Sequence, residues 1–378
     1  MSAMTSVLTK GKLSRFETPA IAIDGVLPTE VLSEVLLCLS AKELCRLRLV
    51  CRAWRALTSE PIFVKAHSTH HPLIAGLCNR GSGEIHIMDI SGHAIRQRRT
   101  EEAIDSYELS TQFGRIFISG GITGAYVLDL VAGAITVLPD LVINHVTYGP
   151  DYVLGYVPST REYKVLCSTM CLMEGGAHKV FHVITLGRAD GQWRQRADPP
   201  MSISGLSDQR AVINGVAYFL SNKDYNNTCA AGINIIMFDL VIEEWRQSVL
   251  QGPSSNAFSE AEKTVMKTDY MTYLQLVELN GCLVIVYSKW DDISVDLWFL
   301  VDMDKGLWTK RYSVCCSLTS WDECRLRPLV VLADGRIAFR GFYRRVLMAY
   351  DPKTSTWDDL ASVGGYSSIA MLNGSLLC

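Results

Sequence analysis

The chain has 378 residues, of which 48% are hydrophobic and 20% charged, and a formal net charge of −3. This balance supplies core material for two domains or one repeat array, and it excludes capture of nucleic acid or an anionic membrane by bulk charge. The first twenty residues hold no apolar run of signal-peptide length, and the stretch Val31 to Leu39 is too short to span a bilayer and carries Glu34. A soluble protein of the cytoplasm or nucleus is expected, with neither nucleic acid nor membrane as partner.

Residues 1–22 are polar and irregular and read as a disordered tail. Helical periodicity begins in the segment 23–63, where Val31, Leu32, Val35, Leu36 and Leu39 recur at three-to-four spacing after Leu27-Pro28. Ser40-Ala41-Lys42-Glu43 has the form of a capping box, in which each side chain satisfies the other residue's backbone donor. A second apolar set follows at Leu44, Leu47, Val50, Cys51, Trp54 and Leu57, and Pro61 closes it. A helical unit of this size generally needs a partner surface.

Leu27-Pro28, Leu32, Val35-Leu36, Leu39, Leu44, Arg48, Val50-Cys51-Arg52, Trp54, Leu57, Pro61 and Phe63 resemble the F-box over residues 27–63. One departure is Ser40, where that family usually has proline. The resemblance implies a Skp-type adaptor as partner and, through it, a cullin. It also implies adaptor binding through Leu27, Pro28, Leu32, Val35, Leu36, Leu39, Leu44, Val50, Cys51 and Trp54.

A short polar linker, 64–72, contains His67, His70 and His71, with no carboxylate or thiol near them in sequence. The twelve cysteines are irregularly scattered, several in apolar runs (Cys38, Cys167, Cys282), and no Cys-x-x-Cys pair occurs. They read as small buried thiols, and neither a metal nor a cofactor is expected.

From residue 73 onward the period is that of strands. An apolar stretch ends in Asp, and a Trp or Ile follows six residues later: Asp89/Ile95, Asp129/Ile135, Asp239/Trp245, Asp302/Trp308 and Asp351/Trp357. Trp193 fits the same place, with Gly187 standing for the Asp. Asp can fold its carboxylate onto the N–H groups of a turn, and Gly133, Gly191 and Gly306 stand where positive φ is expected. The large anchor side chain would fill the gap between adjacent sheets. Asn214-Gly215, Asn280-Gly281 and Asp334-Gly335 mark a second hairpin. Each unit therefore offers about four strands, the content of a propeller blade.

Residues 111–139 look like a kelch repeat. The rest of 73–378 is similar to the F-box-associated domains of plant F-box proteins, through segments such as Arg161–Leu166, Ile213–Tyr218 and Gly306–Thr309. Trp-Asp dipeptides occur at three different points of the repeat, so a WD-type propeller is rejected.

The expected fold is therefore α+β and multidomain: a small N-terminal helical F-box, then an all-β propeller of six blades, with seven as the alternative. The strands near 369–377 should complete the blade begun at 73–99, closing the ring.

No phosphate loop, nucleophile elbow or His-Glu-x-x-His motif is present, and Asp304–Trp308 resembles a sialidase Asp-box once and one residue short. The resemblance implies a noncatalytic substrate-recognition subunit of an SCF-type E3 ubiquitin ligase, whose propeller binds the protein to be ubiquitinated. The alternatives are a glycosidase-like propeller enzyme, which convergent polar side chains on the axis would favour, and an F-box scaffold acting outside a ligase. Trp290 and Trp321, in polar stretches outside the anchor positions, are the candidates for target binding.

Overall fold

The computed structural model describes residues 28–78, 83–99, 108–120, 124–130, 132–141, 146–173, 176–188, 191–205, 207–221, 232–254, 274–289, 293–315, 326–341 and 345–372. The expected tail 1–22, Leu27, Trp290 and Trp321 lie outside them. No helix among the described residues is long and apolar enough to cross a membrane.

Four short helices come first: α1 (Thr29–Leu37), α2 (Ala41–Leu47), α3 (Arg52–Leu57) and α4 (Pro61–His70). The capping box forms as read. The Glu43 N–H donates to Ser40 Oγ at 3.4 Å, and the Ser40 N–H donates to Glu43 Oε2 at 2.9 Å. Leu32, Leu36, Leu44 and Phe63 make the buried centre, with Leu39, Trp54 and Leu57 packed against it. Residues 64–70, read from sequence as linker, instead form the rest of α4. Two histidines, one in this segment and one just past it, dock it on α1: the ring N–H of His67 donates to the Leu39 carbonyl at 2.8 Å, and that of His71 to Leu37 at 2.9 Å. They satisfy carbonyls left open at and just beyond the end of α1.

The strands form six antiparallel sheets among the described residues, arranged as the blades of a propeller. In each blade the strands follow one another outward from the axis. The inner strands are Glu108–Gln112, Val146–Val157, Arg210–Ile213, Leu274–Leu279 and Leu326–Val331 in the second to sixth blades. The first blade takes its inner strand, Tyr366–Leu372, from the far end of the chain, and it pairs antiparallel with Leu73–Cys78. The expected closure is present in the pairs Leu73/Leu372 through Gly76/Ile369.

Both hairpin signals work as chemistry. Asp89 Oδ1 accepts the N–H groups of Ser91 and His93, both at 2.9 Å. Asp129, Asp239, Asp302 and Asp351 repeat this on their own turns, at 2.8 to 3.1 Å. Asn214-Gly215 and Asn280-Gly281 all have positive φ, as a tight hairpin requires. Gly133 and Gly306 also have it, but Gly191 does not, and Gly187 takes the left-handed position in the third blade.

The tryptophan anchors stitch each blade to the one before. Their indole N–H groups donate to backbone carbonyls at or just past the preceding outer strand: Trp193 to Pro139 (2.7 Å), Trp245 to Ala197 (2.8 Å), Trp308 to Gln251 (2.8 Å) and Trp357 to Cys315 (3.0 Å). The isoleucines at the same place do not fill a gap between sheets, for Ile95 and Ile135 remain 41% and 43% exposed. A short aliphatic chain reaches less far and carries no donor. Cysteine burial is likewise mixed: Cys167 is buried and Cys282 half-buried, whereas Cys38 is exposed and donates to the Glu34 carbonyl.

Gly76 sits in the closing seam, where a Cβ would come within 2.6 Å of Met88 Cε and 2.7 Å of the Tyr366 ring. The ring is held in place by a hydrogen bond between its hydroxyl and His86 Nδ1 at 3.0 Å. Gly76→Ala should therefore overpack the seam and lower unfolding stability by about 1–3 kcal/mol in urea titrations. Stability equal to that of the parent chain would mean that the seam is not held tightly.

Candidate functional site

Two surfaces deserve consideration, the helical head and the axis of the propeller. In the head, the expected adaptor residues divide. Leu32, Leu36 and Leu44 are buried, and Leu39 and Trp54 are half-buried against them. Pro28, Val35, Val50 and Cys51 are exposed. Cys51 also caps α3, its sulfur accepting the Trp54 N–H at 3.4 Å. Val31 and Val35, four residues apart, share one exposed face of α1. Leu49, 86% exposed, precedes Val50, 66% exposed, in the turn after α2. Periodicity missed Leu49 because it falls where the helical repeat breaks. Its signal was an apolar pair in a turn.

In an antiparallel blade the first and third strands run one way and the second and fourth the other. The starts of the inner strands, the turns between second and third strands and the connections between blades therefore share one end, the mouth. Side chains tie these strand starts together. Arg210 Nη2 donates to both carboxylate oxygens of Glu108 at 2.6 Å, and the Leu109 N–H donates to Ser368 Oγ at 3.2 Å. Gln209 donates to the Leu274 carbonyl and Gln275 to that of Leu326, both at 3.1 Å. The strand ends flanking Trp290 (Lys289 and Ser294) and Trp321 (Cys315 and Leu326) belong to this end as well. Leu73, where the chain arrives from the helices, pairs with Leu372, at the finish of an inner strand, and so lies at the opposite end.

Behind the mouth is an axial cavity of about 550 Å³, whose lining includes Glu108, Asp208, Arg210, Gln275, Arg327 and Arg340. Convergent polar side chains are thus present, the feature that the enzyme alternative called for. Their state is that of charge-holding groups. Tyr152 also lines the cavity, but burial pushes its phenol up, away from a nucleophilic state. Burial also raises the Asp151 carboxyl against the pull of Arg210 and Lys179, but the void it faces is only about 10 Å³, too small for a substrate. Elsewhere, Cys78, Glu84 and His86 offer three donors within 4.8 Å of one another. The Cys78 sulfur meets His86 Nε2 at 3.6 Å, and the His86 Nδ1 meets the Tyr366 hydroxyl.

The chain matches the F-box associated beta propeller domain over residues 100–362 and the F-box-like domain over 25–68. Three relatives from Arabidopsis thaliana are similar along most of their length. A putative F-box protein is 25% identical over 76% of this chain and 75% of its own. An F-box protein is 21% identical over 89% and 90%, and an F-box/kelch-repeat protein is 22% identical over 88% and 86%. Among solved structures, a chain of a nidogen/laminin complex overlaps 80% of this chain and 98% of its own, at 12% identity and a TM-score of 0.44. That likeness is too distant to carry an argument.

The head carries its own pH dependence. Burial lowers the His67 pKa from its ordinary 6.5, and the Leu39 carbonyl only partly opposes this. A folded pKa below the unfolded one means that the neutral ring is the folded form. Its contribution is complete above the unfolded pKa and is lost as pH falls through the folded one. Thermal melts of the head should therefore weaken as pH falls below about 6.5. His67→Gln, which keeps an N–H donor but cannot titrate, should flatten the profile. An unchanged slope in that variant would assign the dependence to another group.

Proposed function

The chain belongs to the F-box proteins that carry an F-box associated β-propeller domain, and on that premise we propose that it is the substrate-recognition subunit of an SCF-type E3 ubiquitin ligase. The observation that carries the reading is a small F-box-like head with exposed apolar groups, joined to a propeller at the end opposite its mouth. Exposed Leu49, Val50, Val31 and Val35 have no function in holding the head together, and burying such groups against a partner is what drives association. A Skp-type adaptor is the partner, and a cullin joins through it.

In this reading the protein makes and breaks no bonds. It holds a target protein at the mouth of the propeller, with Trp290 and Trp321 as its proposed contacts, and so raises the effective concentration of the target's lysines near a ubiquitin carrier. The buried residues Leu32, Leu36 and Leu44 act by shaping the head, and the exposed Pro28, Val35, Val50 and Cys51 act by contact. The complex works in the cytoplasm or nucleus.

The test is affinity purification of the full chain with adaptor and cullin, beside a Leu49→Asp/Val50→Asp double variant. Both positions are exposed, so the variant should fold with an unchanged helical signature. It should lose at least about 2 kcal/mol of adaptor affinity, the scale of an interface hot spot. Full adaptor recovery with the folded double variant would remove this docking surface. Failure of the parent chain to bring down any adaptor would remove the ligase reading itself.

A further inference from the structure

The mouth holds a charge problem that adaptor docking does not touch. Arg327 and Arg340 stand directly opposite each other on the first two strands of the sixth blade, and both line the axial cavity. Like charges placed opposite on adjacent strands work against the sheet. Nearby Arg210 shows what a satisfied arginine looks like, gripped by both oxygens of Glu108. Neither Arg327 nor Arg340 has such a carboxylate among the described residues. Arg327 reaches the backbone carbonyl of Asp208 at 3.5 Å, and the buried Nε of Arg340 has no hydrogen-bond partner.

Burial opposes the charge on both. For Arg327 the Asp208 and Glu108 carboxylates offset part of that cost, although Arg210 adds to it. For Arg340 the further influences among the described residues are repulsive, from Arg327 and Arg345. A guanidinium does not shed its proton to escape such a site, so an anion in the cavity would relieve it. Of the other acids lining the cavity, Glu108 is engaged by Arg210, and Glu278 sits near the far end of its strand and accepts the Gly281 N–H at 2.5 Å.

We propose that the mouth of the axial cavity is an oxyanion-binding site, in which Arg340, with Arg327 beside it, grips a carboxylate or phosphate group presented by the target protein. A planar guanidinium fork suits either group, since each offers two oxygens to parallel N–H donors. The cavity, about 550 Å³, has the size of a pocket for a small ligand or one extended side chain, not a folded segment. The anion site stands on the cavity alone, and only its assignment to the target rests on the ligase reading.

The purified full chain is titrated with inorganic phosphate, pyrophosphate and citrate, by calorimetry and by melting temperature, beside Arg340→Gln, Arg340→Lys and Arg327→Gln. At least one anion should bind saturably and raise the melting temperature of the parent chain. Arg340→Gln should weaken that binding about tenfold or more, and Arg340→Lys should keep part of it. In low-salt buffer without these anions, Arg340→Gln should melt no lower than the parent, because it removes an uncompensated buried charge. Preference for phosphate and pyrophosphate assigns the site to a phosphorylated group, and preference for citrate to carboxylates. Absence of saturable binding in the parent chain, or equal binding by Arg340→Gln, overturns the proposal. A lower melting point of Arg340→Gln in anion-free buffer does so too, because it marks the guanidinium as structural. Adaptor co-purification is read separately, so failure of one reading leaves the other standing.

Discussion

A ring of sheets is held by its last ladder, and here that ladder joins the two ends of the propeller. Tyr366–Leu372 lies against Leu73–Cys78, so the inner strand of the first blade is the last to be made. Without it, Leu73–Cys78 would present an open edge, and the inner strands of the second and sixth blades would lose a neighbour. The same ladder begins at Leu73, where the chain leaves the helical head. Closing the ring therefore also fixes the point from which the head departs.

The closure was legible because the repeat is chemical as well as apolar. An Asp that binds its own turn and a Trp six residues on can be counted along the chain, and the count shows half a unit missing at each end. The repeat failed as a guide where the residue type changed. Ile95 and Ile135 occupy the anchor position, but they have neither the length nor the N–H donor to reach the preceding blade. In place of a tryptophan stitch, Arg96 donates to the Leu130 carbonyl at 2.9 Å and ties the first blade to the second. Gly191 misled in a similar way: a glycine near a turn need not be the one with positive φ, and Gly187 is.

The head shows a different limit. Apolar spacing locates helices, but the same spacing serves a core and a docking face. Leu36 and Val35 are neighbours in sequence, one buried at the centre and the other exposed, and periodicity gives them equal weight. His67 and His71 read as part of a polar linker and became hydrogen-bond donors to the end of α1, because α4 continues through most of that segment. The charged mouth was not legible at all. Glu108, Arg210, Arg327 and Arg340 come from three blades, and only the shared direction of the inner strands brings their starts together.

That shared direction also divides the molecule's tasks. The head leaves from the end where inner strands finish, and the charged mouth opens where they start, so a group held at Arg340 is separated from the head by the depth of the propeller. Such an arrangement raises effective concentration only if the body between the two sites is stiff, because a flexible connector spreads the target over a larger volume. The indole bonds from the third to the sixth blade, the arginine bond between the first and second and the closing ladder supply that stiffness around the ring. Lys164, Arg194 and Arg196 add to it by converging on Glu243 between the third and fourth blades. Burial alone would raise the Glu243 carboxyl, yet the bonds from Arg194, Lys164 and Arg196 hold it at about 2, so this tie stays charged at any pH at which the protein works. In the proposed ligase reading, the propeller thus serves as a rigid spacer between the apolar surface of the head and the charged mouth.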